Sequence, residues 1–149
     1  MMNDAQTGNI TGHNTIASAL TNIVTGKEDA NFSSPNGKYN FFTCSSNTLK
    51  CDEYAFNASS ILIAGNGEFN VKHYTGKFNA YQRTYIIESA NEEELNIRYL
   101  CYALNQQLRL LKMMSSGSTT KFLTVRMLDN LDIPLFGINI QTQIVNILS

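Results

Sequence analysis

Between Tyr39 and Glu88 the chain is cut into short runs of β-forming residues, and this segmentation limits its fold more than any other feature. Tyr39–Cys44, Tyr54–Phe56, Ser60–Ala64, Val71–Tyr74 and Thr84–Glu88 are rich in aromatic and β-branched residues, which suit a pleated, half-buried surface. Polar and glycine-containing stretches separate them: Ser45–Thr48, Gly65-Asn66-Gly67 and the loop Tyr74–Arg83. Ser60–Ala64 is an apolar run without alternation, which predicts a strand buried on both faces. The spacing predicts a compact, strongly bent or barrel-like, mostly antiparallel sheet. Asn66–Arg83 reads as two short strands joined by a polar turn, with lysines, an arginine, amides and aromatics and no carboxylate after Glu68. Such a surface suits an anionic partner.

Helical patterns stand on either side, so the expected class is α+β with flanking helices. Ile16, Ala19, Leu20, Ile23 and Val24 keep helical spacing, with Asn14 or Thr15 to cap the start and Gly26 to end it. Lys27–Lys38, with Pro35-Asn36-Gly37, reads as a loop. Ile97, Cys101, Leu104, Leu108 and Leu111 form one apolar helical stripe, with Glu92–Glu94 placed to favour its positive N-terminal end and Lys112 its C-terminal end. Ser115–Thr120 breaks that helix and offers small hydroxyls beside Lys121, a combination able to grip phosphate oxygens. Thr124–Asn130 predicts a short helix, Leu131–Leu135 an extended segment, and Asn139–Ser149 a helix with Ile140, Ile144, Ile147 and Leu148 on one side. That last stripe suits a partner helix. The expected division is 1–14, polar and disordered or a tag remnant; 15–138, the main domain; and 139–149, the start of a spacer or dimerisation helix.

A chain of 149 residues is the size of one domain and buries roughly two-thirds of its unfolded surface. Its apolar runs are far shorter than the roughly 20 residues of a membrane span, and Met1–Thr15 lacks a signal-peptide pattern. The expected compartment is the cytoplasm. Cys44, Cys51 and Cys101 are odd in number and widely spaced, and His13 and His73 have no ligand at metal spacing, so reduced thiols and no metal are expected. No phosphate loop, nucleophile elbow or H-E-x-x-H stretch is present, and Cys44 with His73 is no better a pair than any other cysteine and histidine. Binding is the stronger class than catalysis. Net charge is −1, too little to hold a polyanion by charge alone. The distribution differs: Phe69–Ile87 and Leu95–Leu128 together hold eight of the eleven basic residues and none of the twelve acidic ones.

The ordered set Thr25-Gly26-Lys27, Gly37–Cys44, Ile61–Gly67, Tyr74–Phe78, Gly117-Ser118-Thr119, and Ile133-Pro134-Leu135 followed by Gln143-Ile144 resembles the target recognition domain of type I restriction–modification specificity subunits. The resemblance runs from about Ile16 to the C-terminus and implies sequence-specific recognition of double-stranded DNA without catalysis by this chain. It also implies partners: a methyltransferase subunit, which holds S-adenosylmethionine, and a translocating nuclease subunit. No cofactor is expected in this chain itself. Family members usually carry two recognition domains in tandem, each reading half of a split target and followed by a long spacer helix. This chain carries one, so it resembles a half-length member able to work as a homodimer, a fragment, or a relic with vestigial DNA affinity that serves as an interaction module. Mapped onto this sequence, the polar run Thr43–Ser46 and the loop Tyr74–Arg83 would face the major groove. Thr43, Ser45, Ser46, Asn79, Gln82 and Arg83 are then the candidate base readers, because an amide can pair twice with adenine and a guanidinium twice with guanine. Lys72, Lys77, Ser118, Thr119 and Lys121 are the candidate phosphate contacts.

Overall fold

The computed structural model describes residues 10–15, 21–66, 69–114 and 122–149, and the chain divides into two compact units. One unit, Ile23–Glu88 with Thr119–Leu123, is built on a sheet. Its strands are β2 (Thr21–Thr25), β3 (Tyr39–Phe42), β4 (Leu49–Cys51), β5 (Phe56–Ala64), β6 (Val71–Ala80) and β7 (Thr84–Ser89), in the order β2-β7-β5-β6-β3-β4. The sheet is open, with β2 and β4 at its edges, and its one parallel pair among the registered strands is β3 with β6. Its α+β class and mostly antiparallel sheet are as the strand spacing predicts.

Central β5 pairs with β6 from Phe56↔Phe78 to Ile63↔Val71 and with β7 from Ile61↔Ile87 to Ala64↔Thr84. Flanked on both sides, Ile61, Leu62, Ile63 and Ala64 are all buried, which explains why this run carries no polar alternation. Phe42, Leu62, Phe78, Ala80 and Ile86 form the core, with Phe56 and Tyr74 packed on it. Phe78 stacks on Phe56 with centroids 5.1 Å apart and meets Phe42 edge-on at 5.6 Å. Burying each such side chain contributes about 1.5–3 kcal/mol.

β6 is strongly bent. Ten straight residues would span roughly 33 Å, yet Asn70, just before β6, donates its amide to Cys44 O at 2.9 Å while Ala80 is in register with Phe42. Both ends of β6 therefore meet one short stretch of chain, and within the strand Gly76 takes φ 137°, a conformation open to glycine. The expected loop Tyr74–Arg83 is thus shortened: β6 runs unbroken through Gly76 to Ala80, and the turn is confined to Gln82-Arg83. Two further differences follow the same logic. Tyr54–Phe56 and Ser60–Ala64 are not separate strands, because Phe56–Ala64 is one, and the polar stretch after Cys44 contains the short edge strand β4, paired Phe41↔Leu49 to Tyr39↔Cys51. The helix expected over Ile16–Val24 is replaced at Thr21–Thr25 by β2, whose burial alternates residue by residue; Ile16–Leu20 lie outside the described residues. β-branched Thr21, Ile23, Val24 and Thr25 fit a strand beside β7 better than a helix.

The second unit comprises the N-terminal residues to Asn22, Ser89–Ser118 and Thr124–Ser149. Here β1 (Ile10–Thr15), all but Thr15 in the segment 1–14 expected to be disordered or a tag remnant, pairs antiparallel with β8 (Asp132–Phe136). Three helices follow the sequence patterns: α1 (Ile97–Met114), α2 (Val125–Asp129) and α3 (Ile138–Leu148). Asn96 caps α1, its Oδ1 accepting from Arg98 N at 2.8 Å and Tyr99 N at 3.2 Å, while Glu92 Oε2 accepts from Ile97 N at 3.3 Å. Ile97, Leu100, Leu104 and Leu108 form its buried stripe. Gln141 is fully buried on α3 and locks the unit: Oε1 accepts from Asn96 N, and Nε2 donates to Glu94 O and Phe136 O, all within 3.0 Å. No described helix is long and apolar enough to cross a membrane.

Candidate nucleic-acid interface

The bend of β6 gathers two polar segments at one end of the sheet. The first follows β3, where Thr43 Oγ1 accepts from Ser45 N and Ser45 Oγ accepts from Asn47 N, each at 3.1 Å. These short hydroxyl turns fix the backbone and leave Ser45, Ser46 and Asn47 exposed, while Thr43 is half-buried. The second is the tight turn between β6 and β7, closed by Thr84 N to Tyr81 O at 2.9 Å, with Gln82 and Arg83 exposed at its centre. Gln82 N is held by Glu28 O, and Arg83 O accepts from Gly65 N, both at 2.9 Å. A Cβ on Gly65 would lie 2.4 Å from Arg83 O, so only glycine allows this approach.

The two segments touch: Cys44 Sγ donates to Arg83 O at 3.6 Å, and Tyr81 N donates to Phe42 O at 2.8 Å. Thr43, Ser45, Ser46, Gln82 and Arg83 are therefore brought together on a backbone held from several sides. Asn79 is not among them. It is 3% exposed, donating Nδ2 to Glu53 O at 3.2 Å and accepting Ala80 N at 2.9 Å, so its amide is spent inside the fold and the expectation that it reads bases is corrected. Once the presumed loop is a strand, the pleat of β6 places Asn79 on the face opposite core residues Phe78 and Ala80, where Glu53 O meets its amide.

Among the expected phosphate contacts, Lys77 is exposed with its ammonium 5.0 Å above the Tyr54 ring, on a surface shared with Tyr39. Lys72 is half-buried, 5.5 Å from the Phe42 ring centre and 2.7 Å from Ser45 O, and burial pushes its pKa below the ordinary lysine value. Ser118, Thr119 and Lys121 lie outside the described residues. On α3, Ile147 and Leu148 are exposed, whereas Ile140 and Ile144 are half-buried. His73 pairs through Nε2 with Ser59 Oγ at 3.0 Å, and among the described residues no three His, Cys, Asp or Glu side chains cluster as metal ligands. Sequence reasoning missed Asn70 and the structural use of Cys44. Neither type carries a local signal, because each acts on a backbone carbonyl far along the chain.

The arrangement presents hydroxyl, amide and guanidinium donors on a rigid edge, chemistry suited to base edges in a groove. Residues 16–149 match the family model described as the type I restriction modification DNA specificity domain. Over 104 residues the chain is 40% identical to the type I restriction enzyme EcoDI specificity subunit of Escherichia coli, covering 70% of this chain and 23% of that protein. Among solved structures, the S subunit of a type I restriction–modification system from M. genitalium superposes with a TM-score of 0.80 at 24% identity, covering 94% of this chain and 38% of that one. The HsdS subunit from Thermoanaerobacter tengcongensis gives 0.64 at 17% identity, covering 87% and 34%. The chain thus spans about a quarter of the EcoDI subunit and little over a third of the solved chains.

Proposed function

The chain belongs to the family of type I restriction modification DNA specificity domains, and on that premise we propose that it reads one half of a split duplex target without chemistry of its own. The observation that carries this is the meeting of the Thr43–Asn47 loop with the Gln82-Arg83 turn, where exposed polar side chains project from a fixed backbone. Gln82 is suited to pair with adenine N6 and N7, Arg83 with guanine O6 and N7, and the Ser45 and Ser46 hydroxyls with either. A two-residue turn held at Gln82 N and Arg83 O loses little backbone freedom on binding. Lys77, Ser118, Thr119 and Lys121 are the proposed phosphate contacts. In this reading a methyltransferase subunit carrying S-adenosylmethionine and a translocating nuclease subunit are directed to the site, and the Ile140, Ile144, Ile147 and Leu148 stripe meets a partner helix.

Selection of duplexes from a randomised pool by the full chain, alone and with a methyltransferase subunit, tests the reading. One short sequence block should be enriched, with affinity falling steeply as salt rises because bound counterions are released. Arg83→Ala should cost about 1–3 kcal/mol on that block and relax preference at one position. Equal retention of every duplex, or an Arg83→Ala loss that is the same for all sequences, defeats the proposal.

A further inference from the structure

Lys72 has the composition of a phosphate contact but not the geometry of one, and we infer that Lys72, with Asn70, is a positioning residue that holds the Thr43–Asn47 loop in reading order. The inference rests on the proposed reading of duplex DNA and assigns a different task to a lysine within it. Two consecutive carbonyls of the loop are fastened by residues at the start of β6. Asn70 Nδ2 donates to Cys44 O at 2.9 Å, and Lys72 Nζ donates to Ser45 O at 2.7 Å. From the other side, the Cys44 thiol ties the loop to Arg83 O at 3.6 Å. The loop is therefore clamped between the strand and the very turn that carries Gln82 and Arg83.

The lysine is placed for this task. Its ammonium lies 5.5 Å from the centre of the buried Phe42 ring, and the side chain is half-buried, unlike exposed Lys77. Withdrawal from water, which lowers its pKa, makes it a poor surface charge for a mobile phosphate and a good fixed donor to a carbonyl. The carbonyl it holds belongs to Ser45, whose own Oγ fixes Asn47 N, so the ammonium sets the course of the loop through Asn47. A reader fixed before binding gives more discrimination than one that must be ordered on the DNA.

The test compares the full wild-type chain with Lys72→Met, Lys72→Arg and Asn70→Ala. The probes are the duplex enriched by the wild type and a scrambled duplex of equal length, each titrated over a salt series. Amide hydrogen exchange without DNA reads the loop directly. For Lys72→Met, exchange should quicken in peptides covering 43–47 and stay unchanged in β5. Binding to the enriched duplex should fall about tenfold, the order of one good base contact, with the scrambled duplex and the salt slope unaltered. Lys72→Arg should recover most of the loss, and Asn70→Ala should repeat the pattern; these two decide the matter if Lys72→Met does not fold. A salt slope shallower by about 0.9, with equal loss on both duplexes, marks one lost phosphate contact and overturns the inference. So does unchanged exchange in the loop. A wild type that enriches no sequence overturns the DNA-reading proposal instead, while the exchange experiment still decides whether Lys72 and Asn70 hold the loop.

Discussion

Thr84 shows how far a single residue can be read. It follows Arg83 in the tight turn, is 1% exposed, and its Oγ1 is, among the described residues, the buried side-chain polar atom left without a hydrogen bond. An unpaired buried hydroxyl costs about 1–3 kcal/mol, and valine has nearly the same shape, so Thr84→Val should stabilise the chain by about 1 kcal/mol. Urea denaturation followed by circular dichroism, needed because the chain has no tryptophan, checks this; a lower midpoint argues that Oγ1 has a partner in solution. Tyr99 gives a second residue-scale outcome. Its hydroxyl donates to Pro134 O, and burial pushes its pKa up to about 12. A raised folded pKa means the native state keeps the proton that the unfolded tyrosine loses near pH 10, so stability contributed by Tyr99 is full below pH 10 and is lost as pH rises toward 12. Denaturation midpoints at pH 9 and 11 should differ less for Tyr99→Phe than for the wild type, and an equal difference sinks the assignment. Neither environment is legible in sequence. Thr84 reads as an ordinary polar strand residue and Asn79 as part of a loop, and only long-range pairing decides that both side chains are buried.

At the scale of elements, legibility followed how local the signal is. The apolar stripe of α1, the short helix α2, and the run Ser60–Ala64 rest on neighbours within a few residues, and each was readable. β2 was not, because Ile23 and Val24 satisfy a helical spacing and only pairing beside β7 chooses the strand. β4 has no β-branched residue and exists through its register with β3. Gly76 falls in the expected loop Tyr74–Arg83 and lies instead inside a continuous strand, where its positive φ makes it the candidate hinge of the bend. Gly76→Ala tests that role. A Cβ there has room, its nearest neighbour being Tyr74 Cε2 at 3.4 Å, so the cost is conformational: about 1–2 kcal/mol of stability from the strained φ. Because the bend brings Asn70 to Cys44, the same variant should loosen the Thr43–Asn47 loop, read by hydrogen exchange; a stable variant with an unchanged loop removes Gly76 from the account. Gln141 is the corresponding lock of the helical unit. Gln141→Leu leaves Asn96 N, Glu94 O and Phe136 O without their partner and should cost about 2–4 kcal/mol in a denaturant melt; a loss below 0.5 kcal/mol shows that water replaces it.

For the whole molecule, the question is what the apolar surface of α3 meets. The buried side of α3 carries Gln141 and Val145, and its apolar residues continue past that side through half-buried Ile144 and Ile140 to Ile147, which is 80% exposed. A helix whose apolar surface exceeds what its own unit covers favours a second helix, and closed pairing of identical chains is two-fold symmetric. Two-fold symmetry in the protein imposes two-fold symmetry on the DNA it reads, with half-sites at a separation set by the geometry of the pair. If the chain dimerises through this helix, the duplexes it enriches should contain an inverted pair of one block at a fixed spacing, and light scattering should show the dimer mass. Ile147→Asp places a charge on the exposed stripe without touching Gln141 or Val145. It should leave the denaturation midpoint within about 0.5 kcal/mol of the wild type, as surface changes do, return the monomer mass, and enrich single blocks with no fixed partner. A wild type that stays monomeric and enriches single blocks removes the pairing of identical chains and leaves the stripe to a different helix.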